Sequence, residues 1–493
     1  MIDPIVVRCR PQTAAVLALL LLLAGCATNP VTGRQDLVFM SEQQEVALGA
    51  QAHAEILQRY QVYDDPALQR YVDAIGQSLA THSHRSQLTY RFTVLDSTEI
   101  NAFALPGGYV YITRGLLAYL NSEAELAAVL GHEIGHVTAR HSVRQQSSAQ
   151  AASVGAGLLS VLVPQLGYAG LNQTINLLGT ALLRGYGREM ELEADGLGAE
   201  YLARTGYDPQ AMIAVIGTLK NQEIFDRELA AAEGREPRAY HGLFATHPSN
   251  DQRLREAVAH AAQAGQAVGG EIRRDAFLDR IDGLVIGENP QEGVVRGKHY
   301  HHAALGFALD LPDGWAVENL PDRLVLSAPQ GAAQIQLTAK RLDTGQTVGS
   351  LVHGLRLASF ADEQTLSVNG LKGLTGVTQI AVEGRQLPAR LVAIGHGGRA
   401  FLVTGAAREA AGFAQIEPVV LATARSFRPL TEVDRKKVSA NRLHVVPRRN
   451  AVSWAALAAN SPLRKLPEAQ LRLLNAAPPT SPGPETPRYK VVD

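Results

Sequence analysis

His132 and His136 lie four residues apart with Glu133 beside the first, inside a stretch from Ser122 to His141 whose apolar positions recur with a helical period. On a helix, residues i and i+4 project from one face a turn apart, so two imidazole nitrogens converge on a point that one zinc ion can fill. Glu133 stands next to that point. Zinc lowers the pKa of its water from ~15.7 toward ~7, and a neighbouring carboxylate can then take the proton and pass it to a leaving amine. The chemistry this pattern suits is hydrolysis of a peptide bond.

Five-residue patterns of this kind also arise by chance, so the flanks carry weight. Ser122 and Glu125 have the spacing of a capping box, and Leu126, Val129, Leu130, Ile134 and Val137 supply a broad apolar face. A hydrolytic zinc takes a third protein ligand and leaves its fourth position to water. His141 lies nine residues after His132 without the intervening glycine of the long three-histidine motif, and is not assigned as that ligand. The segment Arg188 to Asp195 is the better source. It opens a second apolar-periodic helix through Leu197, Ala199, Tyr201 and Leu202, with Glu191 and Asp195 on one face at i, i+4.

Three ordered segments carry a family resemblance: Asn101-Ala-Phe-Ala-Leu-Pro-Gly-Gly-Tyr-Val-Tyr-Ile-Thr-Arg-Gly-Leu-Leu117, Ser122 to His136, and Glu191-Leu-Glu-Ala-Asp195. They are similar to segments of the gluzincin metallopeptidases of metallopeptidase family forty-eight, which includes the CAAX prenyl proteases, the membrane protease HtpX and bacterial periplasmic quality-control proteases. The resemblance implies one Zn2+ per chain, held by His132, His136 and Glu191, with Glu133 as general base and Asp195 orienting a ligand histidine from behind. Glu193 is left as a solvated helix position. Thr246-His247-Pro248, followed by Arg253, resembles a segment whose histidine occupies the water position in periplasmic members, so His247 is expected as a regulatory zinc ligand. The same residues suit a helix-entry turn, with Pro248 starting the helix. Arg188 also falls on a family position, whereas Gly187 stands where Ser is usual.

Tyr109 to Thr113 alternates aromatic and β-branched residues after a Pro-Gly-Gly turn. In zinc peptidases of this kind an edge strand beside the zinc helix pairs with an extended substrate. Tyr109 and Tyr111, with Asn101 and Ala102 upstream, are the expected substrate strand.

Arg8 and Arg10 precede an apolar run from Ala14 to Leu23 that ends in Leu23-Ala24-Gly25-Cys26. This resembles a bacterial lipoprotein signal, cleaved before Cys26, whose sulfur then takes the lipid. The run is short for a membrane span. Ala27, where an Asp retains lipoproteins at the inner membrane, points to a periplasm-facing anchor at the outer membrane. With Cys9 in the signal and Cys26 lipidated, the mature chain has no disulfide. Its 46 Lys and Arg against 47 Asp and Glu argue against a nucleic-acid partner.

The 493 residues divide into a signal (1–25), a mainly helical zincin-type domain with a small sheet (26–270), an α+β accessory domain (271–430), a LysM-like βααβ unit (431–477) and a disordered tail (478–493), so the fold class is α+β. Helices are expected from Ser41 to about Tyr60 and from Pro66 to about Thr81. Gln145 to Leu183 carries no charge and reads as a lid, a membrane-facing loop or a buried helical hairpin. Lys298-His299-Tyr300-His301-His302 has side chains that could bind metal, but it reads first as a solvated linker. Arg442 to Asn475 resembles a degenerate LysM module, a resemblance that implies peptidoglycan as a further partner, although Arg449-Asn450-Ala451 replaces the usual Gly-Asp-Thr turn and counts against glycan binding. The expected function is a zinc metalloendopeptidase acting on misfolded or stalled envelope proteins. A latent chaperone-like holdase or a wall-associated assembly scaffold with structural zinc is the alternative.

Overall fold

The computed structural model describes residues 26–148, 186–233, 270–355, 357–382, 385–478 and 480–493. They divide into two units, one drawn from Met1–Ile56, Val62–Leu284 and Arg442–Asp493, the other from Leu57–Gln61 and Val285–Asn441. The boundaries expected at 270 and 430 therefore fall at 284 and 441. The Gln145 to Leu183 stretch lies almost wholly outside the described residues, as do the signal segment and Thr246-His247-Pro248. Among the described residues no helix is long and apolar enough to cross a membrane.

In the first unit a short hairpin of β1 (Cys26–Thr28) and β2 (Gln35–Leu37) precedes α1 (Glu42–Arg59) and α2 (Pro66–Thr81). Asp65 starts α2 by accepting hydrogen bonds from the Ala67 and Leu68 N–H groups, and Pro66 sits where no donor is needed. The strands β3 (Arg91–Leu95), β4 (Ala102–Leu105) and β5 (Tyr109–Thr113) form a sheet in the order β3-β5-β4. β4 and β5 are joined through Gly107 and Gly108, whose φ values of 79° and 95° exclude other residues without strain. β5 is thus the middle strand, parallel to β3 and antiparallel to β4, and not the expected edge. The hairpin signal of Pro-Gly-Gly is local, whereas the parallel β3–β5 pairing is not.

After α3 (Arg114–Tyr119), α4 (Glu123–Thr138) carries the histidine pair, and all sixteen of its residues are buried. A helix buried all round is the centre of a core, which goes beyond the one-sided burial its apolar face implies. Ser122 Oγ accepts from the Glu125 N–H at 3.1 Å, but the Glu125 carboxylate accepts from Asn121 N at 2.7 Å and not from Ser122, so the expected box closes one residue early. α5 (Arg188–Arg204), α6 (Ala211–Glu233) and α7 (Arg274–Ile281) complete this part of the unit.

The second unit holds β6 (Val285–Ile286), a four-stranded sheet containing β7 (Val294–Arg296), β8 (His299–His302) and β9 (Phe307–Asp310), and an antiparallel seven-stranded sheet. The larger sheet runs β10 (Ala316–Asn319), β11 (Arg323–Ser327), β12 (Ala333–Arg341), β16 (Arg399–Ala407), β15 (Arg385–His396), β14 (Leu371–Val382), β13 (Ala361–Val368). α8 (Val348–Gly354) packs on β14 and β15, while α9 (Phe413–Arg425) packs on β15 and β16. Gly405 lets α9 approach: a Cβ there would lie 2.2 Å from Val420 Cγ2. β17 (Arg428–Pro429) pairs with β9, and α10 (Glu432–Lys437) follows. The segment at 299–302 is a strand and not a linker: Tyr300 joins the Phe307, Phe401 and Phe427 core, and His301, on the opposite face, is buried as well.

The chain then returns to the first unit. β18 (Asn441–Pro447), α11 (Trp454–Ala459), α12 (Pro467–Leu474) and β19 (Arg488–Val492) follow one another, with β18 antiparallel to β19. The tail expected to be disordered therefore supplies the closing strand. Trp454 Nε1 donates to Ser481 Oγ at 3.0 Å, and Lys490 is fully buried, which overrides the run of prolines from 478 to 487.

Candidate metal centre

Two small-residue contacts bring α4 and α5 into near backbone contact. A Cβ added to Gly131 would lie 3.3 Å from Gly198 Cα, and one added to Gly135 would lie 3.0 Å from the Ala194 carbonyl oxygen. This closeness lets the short Glu191 side chain reach across. Glu191 Oε2 is 3.6 Å from His132 Nε2, Glu191 Oε1 is 3.5 Å from His136 Nε2, and the two Nε2 atoms are 3.0 Å apart. All three residues are buried, Glu191 completely.

The donor set suits zinc. Ligands at ~2.1 Å in a tetrahedron are about 3.4 Å from one another, close to the three spacings seen here. Among the described residues, His132, His136 and Glu191 form the one group of acidic and histidine side chains whose donor atoms all lie within 4.8 Å. Glu133, 1 % exposed, follows His132 on the same helix. Asp195 Oδ1 lies 2.9 Å from His132 Nδ1, a charge contact that does not meet hydrogen-bond geometry.

The rear of His136 has its own partner, which sequence spacing does not show. His136 Nδ1 is 2.8 Å from His141 Nδ1, and His141 Nε2 is 3.1 Å from Glu193 Oε2. Arg144 donates to the same Glu193 oxygen at 2.8 Å. Glu193 is therefore an ion-pair partner and not a solvated helix position, because residues 141–148 run back as a helix beside it. Burial alone would raise the Glu193 pKa, but hydrogen bonds from His141 and Arg144 outweigh it and hold the carboxyl at about 2. Burial also pushes the His141 imidazole below its ordinary value.

The chain turns back at Arg140, whose φ of 57° is left-handed. An L-residue there costs roughly 1–2 kcal/mol, and glycine is the usual solution. Arg140 holds the conformation through its side chain: Nε donates to the buried Glu45 at 2.9 Å and Nη2 to the Met40 carbonyl at 3.0 Å. Tyr186 closes another side of His136, its ring stacked at 4.1 Å, and its hydroxyl meets Ser142 Oγ at 2.6 Å.

The expected substrate residues separate into two groups. Tyr109 and Tyr111 pack on His53 of α1, with Tyr111 Oη 2.6 Å from His53 Nδ1, so they are occupied by the fold. Asn101 and Ala102 lie at the start of β4, which packs against α4. Ala104, Leu105 and Pro106 line a cavity of ≈ 10 Å³ with His136 and Tyr186. β4, an edge strand, thus packs more extensively on α4 than the central β5 does. Asn101 Oδ1 is buried without a hydrogen-bond partner.

Comparison with known proteins agrees with this geometry. Peptidase family M48 matches residues 66–261, a span that contains the histidine pair and Glu191. The chain is 34 % identical over 324 residues to the beta-barrel assembly-enhancing protease of Escherichia coli (strain K12), covering 64 % of this chain and 61 % of that protein. It is 33 % identical to the mitochondrial metalloendopeptidase OMA1 of Arabidopsis thaliana over 30 % of each chain. The same enzyme of Schizosaccharomyces pombe is 29 % identical, over 46 % of this chain and 64 % of that one. The chain thus spans about three fifths of the length of the first of these relatives.

Proposed function

We propose that this protein is a zinc metalloendopeptidase whose site is His132, His136, Glu191 and Glu133, a reading supported by the match of residues 66–261 to peptidase family M48. The single observation that carries this reading is the convergence of two imidazole nitrogens and one carboxylate, all buried, with a general-base carboxylate on the next residue. Zinc held by these three residues supplies a Lewis acid that polarises the scissile carbonyl and acidifies water. Glu133 takes the proton of the attacking water and delivers it to the departing amine. A structural zinc site has no use for a carboxylate in that position, which weighs against the scaffold alternative.

Substrate enters as an extended chain along β4. Asn101 Oδ1, lacking a partner, accepts a main-chain N–H of that chain, so recognition rests on backbone and tolerates varied sequence. Unfolded or stalled envelope proteins have the extended backbone such a groove needs, and a relative named for enhancing β-barrel assembly supports this substrate class. The protein is placed in the periplasm, anchored through lipid on Cys26 at the outer membrane. His247 acts as the regulatory ligand that holds the site latent. The β18-α11-α12-β19 order is that of a LysM-like unit and supports peptidoglycan as a partner.

Digestion of casein tests the activity. The native protein cleaves it, chelation of zinc stops cleavage, added zinc restores it, and His247→Ala cleaves faster. Absence of cleavage by both the native and His247→Ala proteins, with zinc bound at one per chain, would transfer the assignment to the holdase.

A further inference from the structure

The two histidines of the centre are backed differently. Behind His132 stands a carboxylate, Asp195, at 2.9 Å. Behind His136 stands a second imidazole, and the carboxylate comes one residue further out: His136 Nδ1 to His141 Nδ1 at 2.8 Å, His141 Nε2 to Glu193 Oε2 at 3.1 Å, Glu193 to Arg144 at 2.8 Å. From this chain of contacts we infer that His141 and Glu193 are positioning residues for the metal ligand His136, fixing its tautomer and ring plane so that Nε2 faces the metal. The inference rests on the zinc reading of the site and adds two residues to it.

The argument is one of donors and acceptors. A histidine that binds metal through Nε2 carries its proton on Nδ1 and needs an acceptor there. His141 can accept through Nδ1 only when its own proton is on Nε2. Glu193 enforces that tautomer by accepting from Nε2–H, and Arg144, donating to the same oxygen, holds the carboxylate aimed at it. His141 is fully buried, so no solvent competes for either nitrogen. The placement is built into the backbone: the left-handed Arg140 ends α4 and reverses the chain, which sets a residue only five positions after His136 against the back of its ring. Glu191 and Glu193, two residues apart on α5, thus act on opposite ends of one imidazole, Glu191 beside Nε2 and Glu193 through His141 at Nδ1.

The test compares the full mature chain with His141→Leu, His141→Asn and Glu193→Gln. Zinc affinity is measured by chelator competition, together with the visible spectrum of the cobalt-substituted protein and the melting temperature of the metal-free form. Losing a partner behind a metal-bound histidine costs about 10–100-fold in affinity. His141→Leu is expected to lose zinc affinity in that range and to shift the cobalt bands. Asn offers an acceptor at the Nδ1 position, so His141→Asn recovers most of the loss. Glu193→Gln keeps the shape, removes the charge and falls between native and His141→Leu. A purely structural role would lower the metal-free melting temperature while leaving zinc affinity and cobalt spectrum unchanged, and that result overturns the inference. If His141→Leu does not fold, Glu193→Gln with native affinity and native bands overturns it alone. A native protein that binds no zinc sinks the proposed function and the inference together, whereas native binding with indifferent variants sinks only the inference.

Discussion

Gly135 of α4 and Ala194 of α5 touch almost backbone to backbone: a Cβ on Gly135 would sit 3.0 Å from the Ala194 carbonyl oxygen and 3.1 Å from its Cα. The contact sets how far Glu191 must reach to meet both imidazoles. Gly135→Ala adds one methyl at this point, and the helices must part by a few tenths of an ångström. Alanine is the better helix former by about 1 kcal/mol, which opposes the steric cost in the metal-free protein. The expected outcome is a metal-free melting temperature close to native with zinc affinity reduced about three- to tenfold. Chelator competition and thermal melts on the same sample check it.

Asn101 Oδ1 is buried without a hydrogen-bond partner, a state that costs stability and that the proposed function uses to hold substrate. An unsatisfied buried polar group costs about 1–3 kcal/mol, so Asn101→Ala is expected to raise the melting temperature. The same change removes the acceptor offered to a substrate N–H. KM for an unfolded substrate should rise about five- to tenfold with kcat moved less, as steady-state kinetics would show.

Lys490 of β19 is fully buried, and its ammonium donates to the Ala118 and Leu120 carbonyls at 2.7 and 2.8 Å beside Glu125 at the start of α4. Burial pushes its pKa well below the usual lysine value, and the Glu125 charge opposes that shift. Lys490→Met leaves two carbonyls without their donor and removes a charge that favours the ionised Glu125 carboxylate, at a cost on the order of 3 kcal/mol. Lys490→Met combined with Glu125→Gln should recover part of it. Urea unfolding of the two variants measures the difference.

How much of this was legible beforehand follows from range. The helices Pro66–Thr81, Glu123–Thr138 and Arg188–Arg204 are readable because their apolar periods, and for the first two their side-chain caps, are local. The candidate ligand group is readable because its residues recur in a known motif order. What escaped the sequence is non-local. The parallel pairing of Arg91–Leu95 with Tyr109–Thr113 puts the latter in the middle of the sheet and leaves Ala102–Leu105 as an edge strand. The His141–Glu193 contact depends on a left-handed arginine, a conformation for which sequence offers only glycine as a signal. Gly131, Gly135 and Gly198 were the clue that two helices meet closely, and they read as ordinary small residues until the partner helix is placed.

His302 gives the second unit an acid-sensitive point. Burial, aided by the Arg399 charge, lowers its pKa to about 4, and its Nδ1 accepts the Leu305 N–H at 3.3 Å. Between the unfolded value of about 6.5 and the folded value of about 4, the unfolded chain binds more protons, so stability falls as pH falls through that window. The loss is at most about 3 kcal/mol, complete below the folded pKa. Carboxylates elsewhere also respond, so the informative quantity is the difference between native and His302→Gln in urea unfolding at pH 7 and pH 4.5. The variant should lose less stability over that interval.

The central claim is that Glu133 performs proton transfer at a metal centre that the other residues build without it. Glu133→Gln keeps the size of the side chain and removes its basicity, so the direct measurement is cleavage of casein by the native and Glu133→Gln proteins, each with its zinc content determined. The account predicts one zinc per chain in both and cleavage reduced at least about 1,000-fold in the variant, within the range general acid–base catalysis supplies when its group is lost. Equal cleavage by both proteins at equal zinc content would contradict it.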